Sequence, residues 1–248
     1  MGGILSGQGL SIELEGVAAG YGQGDVFSGL TARFEGGRLC AVCGPNGSGK
    51  STLAKCLIGE IKPSAGAVRF AGCAPEDVAY MPQAARVDRS LPLCALEFAA
   101  MGLWREVGFF KGVRAELRRV AGEALRTMGL GGLEKRRIGE LSGGQFQRLL
   151  FARMLAQRCP CMVLDEPFAA VDRATTDRML GVLAALRAEG RSAIVVTHDL
   201  AAARDRYDDA LLMAQGRAPL FGPAPETMTD ENLRLLWLGA GQDRKGRG

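Results

Sequence analysis

The sequence lacks long hydrophobic runs and a secretion signal. A helix that spans a bilayer needs about 20 consecutive apolar residues, whereas the best apolar runs here, 161–164 and 193–196, have only the length of a strand. The first residues, MGGILSGQGL, contain neither the basic segment nor the apolar segment of a secretory signal. We therefore expect the protein in the cytosol, and if it works at a membrane, another chain must hold it there.

Histidine is too rare and the cysteines are too scattered to indicate a metal centre or a disulfide framework, and the net charge is small. His198 is the only histidine, which speaks against a transition-metal centre on this chain. The seven cysteines follow no framework spacing, and Cys40 and Cys43 would point to opposite faces of a strand, so we expect reduced core residues. A net charge of +4 fits an anionic ligand or membrane surface but is too small and dispersed to indicate nucleic acid.

Patterns typical of strands and helices alternate on both sides of a purely helical middle. Alternation of this kind favours an α/β fold with a mostly parallel sheet covered on both faces. Between 84 and 140 the pattern is helical with no convincing strand, so this region is an insertion into the α/β core. Segments 210–214 and 219–222 predict a closing hairpin. The predicted strands are 11–15, 30–34, 38–43, 161–164 and 193–197, and the predicted helices are 51–59, 95–104, 114–128, 145–157 and 175–189.

A glycine-rich segment between the strand 38–43 and the helix 51–59 matches G-x-x-x-x-G-K-[ST] at every fixed position. Its glycines let backbone N–H groups surround a phosphate, and the helix N-terminus adds partial positive charge. Lys50 can bridge the β- and γ-phosphates, and the Ser51 hydroxyl can ligate Mg²⁺. A chance glycine turn would not combine the lysine, the hydroxyl and the strand–helix context, so we predict a nucleotide site. Its residues are Gly44, Pro45, Asn46, Gly47, Ser48, Gly49, Lys50, Ser51 and Thr52.

Two carboxylates, Asp165 and Glu166, follow the apolar strand 161–164. In isolation such a pair is commonly a solvated acidic loop, but a phosphate-binding loop requires a carboxylate for magnesium. We predict that Asp165 holds Mg²⁺ through its water shell and that Glu166 polarises the attacking water as general base.

The segment Leu141-Ser142-Gly143-Gly144-Gln145 precedes a helix and lies between the phosphate loop and the carboxylate pair. In this order it resembles the signature of ABC ATPases. The resemblance implies that Ser142, Gly143, Gly144 and Gln145 bind the γ-phosphate of an ATP held by a second copy of the chain. A hydroxyl, glycine N–H groups and a helix N-terminus suit an anion physically.

Four further residues match the family pattern. Tyr21 resembles the A-loop aromatic that stacks on adenine, a role that we favour over that of an ordinary exposed tyrosine. Gln83 resembles the Q-loop glutamine, which touches Mg²⁺ and senses the permease. Asp172 resembles the D-loop aspartate that links two subunits, with Val171 where the family often has leucine. His198 follows a strand directly and resembles the H-switch that reaches the γ-phosphate, which we favour over an ordinary surface histidine.

The resemblance covers Ile12 to about Leu238 and implies a P-loop NTPase of the ABC type, with ATP and Mg²⁺ as cofactors. It implies one nucleotide-binding domain over 10–238, in which a RecA-like core (10–83 and 146–238) includes an N-terminal antiparallel β part. A helical subdomain spans about 84–145. We expect 1–9 and 241–248 to be disordered.

The transporter class follows from shorter resemblances. Segments 100–104, 144–148 and 166–172 look most like zinc and manganese importer ATPases, and importers of iron chelates or cobalamin share much of the pattern. The implied partners are a second copy of the chain, an integral-membrane permease and an extracytoplasmic solute-binding protein. Segment 91–104 could receive the permease or pack inside the insertion. A soluble ABC protein or an exporter ATPase would carry the same motifs, but no coiled-coil insertion or fused membrane segment supports either class.

Overall fold

The computed structural model of the chain describes residues 10–22, 24–103 and 115–240, with the backbone alone for 236–240. The ends predicted to be disordered, 1–9 and 241–248, lie outside these residues, as do Trp104 and Arg114 of two predicted helices. The chain forms two compact units. The first contains the residues up to Val78, Pro160–Asp165 and those from Ala184 onward, and the second contains Ala79–Cys159 and Glu166–Leu183.

Strands and helices alternate along the described residues. The strands are β1 (Ser11–Gly20), β2 (Asp25–Glu35), β3 (Leu39–Cys43), β4 (Ala65–Ala71), β5 (Val78–Met81), β6 (Cys161–Asp165), β7 (Ser192–Val196), β8 (Asp209–Leu212) and β9 (Leu220–Pro223). The helices are α1 (Lys50–Leu57), α2 (Ala95–Ala100), α3 (Ala115–Thr127), α4 (Gly143–Ala156), α5 (Arg173–Ala188), α6 (Leu200–Arg206), α7 (Ala224–Thr227) and α8 (Asp230–Ala240).

In the first unit, β6, β7, β3 and β8 pair in parallel in that order, and β9 closes the edge antiparallel to β8. Every residue of β3, β6, β7 and β8 is buried, which explains their nearly continuous apolar sequences. The register sets Val42 of β3 and Asp165 of β6 opposite Val196 of β7. The carboxyl ends of these three strands therefore meet at one edge.

The first unit also contains an antiparallel sheet in the order β2-β1-β4. Its strand β2 packs on the parallel sheet through Phe34, whose ring centre lies 5.5 Å from that of Phe221 in β9. Register shifts after Leu14 interrupt the alternation of buried and exposed residues in β1. The alternation therefore predicted the strand only over 11–15, whereas β1 continues to Gly20.

The second unit is mainly helical, and α2, α3 and α4 pack against one another. In the core of this unit, the ring centres of Phe98 in α2 and Phe146 in α4 lie 5.9 Å apart. The α3 sequence buries Leu117, Val120 and Leu125 at helical spacing while its charged residues face outward.

The predicted α/β class, the mostly parallel sheet, the closing hairpin and the N-terminal antiparallel sheet are confirmed. The strands β4 and β5 and the helices α6, α7 and α8 were not predicted. The sequence of β4, AGAVRFA, is half-exposed and rich in small residues, so its pattern is weak and its pairing with β1 decides its conformation. The boundaries of the predicted subdomains stay a prediction. None of the described helices is long and apolar enough to cross a membrane.

Candidate functional site

The predicted phosphate loop connects the buried strand β3 to α1 in the first unit. Two of its glycines allow close backbone approaches. A Cβ atom on Gly44 would lie 2.1 Å from the Met213 carbonyl oxygen, and one on Gly49 would lie 2.8 Å from the Phe27 ring. Gly49 also has a φ of 96°, in the left-handed region that favours glycine. The two positions therefore require glycine for the loop to fold as it does.

The loop surrounds a buried ammonium group. Lys50 is 6% exposed, and its Nζ donates to the carbonyl oxygens of Gly44 at 2.8 Å and Pro45 at 2.9 Å. The N-terminus of α1 has no side-chain cap and no acidic residue in its first turn. Among the described residues, the buried Ser48 hydroxyl has no hydrogen-bond partner. Uncapped N–H groups, a lysine and an unsatisfied hydroxyl together suit a bound phosphate.

Asp165 and His198 lie at the same edge of the parallel sheet as this loop. Asp165 ends β6 and is 1% exposed, so its carboxylate is taken out of water at the carboxyl end of the strand. His198 is exposed and follows β7 by two residues. Since β7 lies between β6 and β3, the phosphate loop, Asp165 and His198 follow neighbouring strands at one edge of the sheet. A buried carboxylate beside a phosphate loop fits the oxygen ligands that Mg²⁺ prefers.

The predicted adenine contact, Tyr21, lies at the end of β1 with 53% of its surface exposed. The Nζ of Lys55 lies 5.7 Å from its ring centre. Tyr21 does not line the 710 Å³ pocket beside Gly47, which the start of β2 and the 214–218 turn enclose. Its predicted role depends on the exposed ring face rather than on a preformed pocket.

Glu166 and Gln83 are hydrogen-bonded in the second unit. The Nε2 of Gln83 donates to Oε2 of Glu166 at 2.9 Å, so the predicted permease sensor contacts the predicted general base directly. Glu166 has a φ of 53°, an uncommon conformation for a residue with a side chain. Strain of this kind costs about 1–3 kcal/mol and persists only where neighbouring groups hold it.

The glutamine Gln147 holds the main chain at Glu166, although it was not among the predicted site residues. It lies in the second turn of α4, is 1% exposed, and donates from Nε2 to the carbonyl oxygens of Glu166 at 3.0 Å and Pro167 at 2.8 Å. The segment 144–148 indicated only the transporter class and not this role, because the partners of Gln147 lie 19 and 20 residues away.

The signature residues form the N-terminus of α4. Ser142 and Gln145 make a reciprocal cap: the Gln145 N–H donates to the Ser142 hydroxyl at 3.2 Å, and the Ser142 N–H donates to the Gln145 side chain at 3.0 Å. Ser142 and Gly143 are exposed, while Gly144 and Gln145 are half-buried. The serine is therefore fixed in place and still open to solvent.

Arg89 was also not predicted as a site residue, and it contacts the residues on both sides of this cap. Its guanidinium lies 4.7 Å from the ring centre of Phe146 and donates to the carbonyl oxygens of Ile138 and Leu141. Leu141 directly precedes Ser142, so Arg89 secures both sides of the point where α4 begins. A lone arginine in a loop gives no sequence signal for such a role.

Asp172 caps the helix α5. Its carboxylate accepts from the N–H and the hydroxyl of Thr175, each at 2.8 Å, and these hydrogen bonds lower the pKa of Asp172. The predicted residues thus divide between the units. The first unit holds Tyr21, Gly44–Thr52, Asp165 and His198, and the second holds Gln83, Ser142–Gln145, Glu166 and Asp172.

A family model described as "ABC transporter" matches residues 27–169, which is more than half of the 248 residues. The chain belongs to the ABC transporter family. This ABC protein is 35% identical over 232 residues to the manganese transport system ATP-binding protein MntB of Bacillus subtilis, and the match covers 92% of each chain. The predicted family is therefore confirmed.

Solved structures of ABC proteins share the fold. One, described as an inward-facing transporter of the metal-chelate type, has a TM-score of 0.83 at 28% identity, covering 92% of this ABC protein and 89% of that chain. Another, a dimeric ATP-binding cassette in a post-hydrolysis state with ADP and Pi, has a TM-score of 0.74 at 26% identity, covering 86% and 98%. The predicted ABC ATPase fold is confirmed, and the chain is an enzyme that hydrolyses ATP.

Proposed function

We propose that the chain is the ATP-hydrolysing subunit of a metal-ion importer, which binds MgATP at the interface of a head-to-tail dimer and powers a separate membrane permease. The observation that carries the nucleotide site is one edge of the parallel sheet, where β3 leads into the loop that contains Lys50, β6 ends at Asp165 and β7 is followed by His198. The cargo rests on the manganese transport relative, and zinc is the chemically similar candidate.

Phosphate binding is the task of the phosphate loop. The N–H groups of Gly44–Thr52 and the Lys50 ammonium would surround the β- and γ-phosphates of ATP, and the exposed Tyr21 ring would stack on adenine. The Lys50 contacts to the carbonyls of Gly44 and Pro45 keep its charge inside the loop, ready to exchange a carbonyl for a phosphate oxygen.

Ser51, Asp165 and Gln83 are the residues that would hold Mg²⁺, and all three offer oxygen ligands. When bound, the ion supplies neutralisation of the charge that develops on the phosphate oxygens.

Hydrolysis requires a base for the attacking water and a group that holds the γ-phosphate. The Glu166 carboxylate accepts the proton as the water oxygen bonds to the γ-phosphorus and the bond to ADP breaks. His198 donates a hydrogen bond to the γ-phosphate from the edge of the sheet. The Gln83 amide fixes the Glu166 carboxylate, so a movement of the Gln83 segment would change the direction of the base.

The exposed signature serine completes the site of a second copy. Ser142, Gly143, Gly144 and Gln145 would bind the γ-phosphate held by the partner, and Asp172 would lie at the same interface. The likeness to a dimeric cassette with ADP and Pi supports this arrangement. Two ATP molecules then join the dimer, and hydrolysis removes the bridging charge so that it opens.

Transport also requires a pathway through the membrane and a partner that delivers the metal. We propose that permease subunits hold the dimer at the cytoplasmic side of the membrane and that a solute-binding protein delivers the metal. The likeness to a transporter described as metal-chelate type keeps iron chelates or cobalamin as the second candidate cargo.

The Glu166→Gln variant tests this function, because the amide cannot accept the proton while its shape is kept. We expect ATP affinity to persist, turnover to fall by about 10²–10⁴-fold, and ATP to accumulate a stable dimer detectable by size-exclusion chromatography. Cells expressing the variant should lose uptake of labelled Mn²⁺.

The matched control is Asp177→Asn, an exposed carboxylate of α5 that the proposal does not use. Wild-type turnover in Glu166→Gln would refute the general base. Normal Mn²⁺ uptake together with lost uptake of an iron chelate or cobalamin would reassign the cargo.

A further inference from the structure

The left-handed backbone conformation of Glu166 needs hydrogen bonds from outside its own loop to stabilise it. Glu166 and Ala170, with φ of 53° and 59°, place two side-chain-bearing residues in left-handed conformations within one short loop. The residue after Glu166 is proline, which further restricts the backbone of Glu166. One backbone bond, from the Ala169 N–H to the Glu166 carbonyl at 3.2 Å, closes the loop on itself.

The side-chain amide of Gln147, in α4, supplies these hydrogen bonds. It donates to two consecutive carbonyl oxygens, those of Glu166 and Pro167, and so determines the orientation of both peptide planes that follow the base. The side chain is buried, so water cannot replace it readily. The start of the same helix lies against the rest of the loop, since a Cβ on Gly144 would lie 3.4 Å from the Ala170 carbonyl oxygen.

We infer that Gln147 is a positioning residue for hydrolysis: it holds the Glu166 backbone in the left-handed conformation that aims the carboxylate at the attacking water. The inference rests on the proposed role of Glu166 as general base. Gln83 bonds the carboxylate and Gln147 bonds the backbone, so Glu166 is held at both ends.

The same helix carries Ser142 at its N-terminus, so one rigid element determines the position of two groups. In the proposed dimer, Ser142 serves the partner's ATP, whereas Glu166 serves the ATP of its own chain. Gln147 would therefore link the signature helix of one site to the base of the other within a single chain.

Gln147→Leu keeps the volume and removes the donor. In the purified full-length chain we expect kcat to fall by about 10–100-fold, the effect of a misplaced catalytic group, while KM for MgATP is unchanged. Because the variant hydrolyses ATP slowly, its dimer should also accumulate in the presence of MgATP, as in Glu166→Gln. Gln147→Met serves as a second variant in case the branched leucine side chain prevents folding.

The neighbouring residue offers a matched control. Arg148 also lies on α4 and also donates to two carbonyl oxygens, those of Met128 and Gly129 at 3.2 Å each, but these belong to a turn outside the site. Arg148→Met should lower the melting temperature comparably and leave kcat unchanged.

A double-mutant cycle separates positioning from general damage. If Gln147 acts through Glu166, adding Gln147→Leu to Glu166→Gln should cause no further loss in single-turnover hydrolysis. An equal loss in both backgrounds, an unchanged kcat in folded Gln147→Leu, or a raised KM with unchanged kcat would each overturn the inference. Failure of the proposed function differs from these outcomes, because Glu166→Gln would then hydrolyse ATP normally.

Discussion

Close packing of the backbone around the phosphate loop leaves no room for a side chain at Gly44. A Cβ at this position would lie 2.1 Å from the Met213 carbonyl oxygen and 2.8 Å from the Ser48 hydroxyl. The Met213 carbonyl cannot move freely, since Met213 continues β8 and its N–H donates to the Cys43 carbonyl oxygen. The glycine is thus required by packing as well as by the ligand.

We expect Gly44→Ala to lower the free energy of unfolding by about 1–3 kcal/mol, the usual cost of overpacking, and to weaken ATP binding. Chemical denaturation and titration with a fluorescent ATP analogue would measure both effects. Gly181→Ala is the control: this exposed glycine lies inside α5 with open space around it, so alanine should stabilise by about 0.5–1 kcal/mol. Unchanged stability and affinity in Gly44→Ala would contradict the packing argument.

At the scale of elements, the N-terminus of α4 is held by its own cap and by Arg89. The cap satisfies the Ser142 and Gln145 backbone donors, and Arg89 fixes the carbonyl before the cap and the ring after it. A helix that starts at the surface would otherwise fray in its first turn. The exposed signature serine therefore depends on a residue more than 50 positions earlier in the chain.

Removing the guanidinium in Arg89→Met should weaken the ATP-driven dimer by about tenfold, equivalent to 1.4 kcal/mol, while monomers bind ATP normally. Sedimentation in the Glu166→Gln background measures the dimer, and hydrogen exchange at residues 141–146 should rise. Arg119→Met on the exposed face of α3, where Arg119 pairs only with Glu116 and Glu123 among the described residues, should change neither. Equal dimerisation by Arg89→Met and wild type would disprove the dependence.

At the level of the whole molecule, the residues of the proposed site divide between the two units. Lys50, Asp165 and His198 belong to one unit, and Ser142 and Glu166 belong to the other. In the proposed head-to-tail dimer each ATP is bound by the phosphate loop of one copy and the signature of its twin. In this arrangement, a chain with a defective phosphate loop and a chain with a defective signature should complement each other.

Lys50→Ala should lose productive ATP binding, and Ser142→Arg should bind ATP as a monomer without dimerising. A mixture of the two should recover ATP-dependent heterodimers, since one of the two composite sites then has an intact Lys50 and an intact Ser142. Differently tagged chains and pull-down with ATP would detect them. The control mixes Lys50→Ala with the double variant Lys50→Ala, Ser142→Arg, so that neither composite site is intact. ATP-dependent heterodimers in this control would rule out the head-to-tail arrangement.

The local motifs of this protein could be predicted from the order of its amino acids. The phosphate loop, the carboxylate pair and the signature each consist of consecutive residues, so their order predicted the family. The alternation of strand and helix patterns predicted the α/β fold. The contacts of Gln147 and Arg89 and the pairing of β4 depend on how the chain folds in three dimensions. Their partners lie far along the chain, and no pattern of neighbouring residues records which distant carbonyl or strand a side chain or an edge will meet.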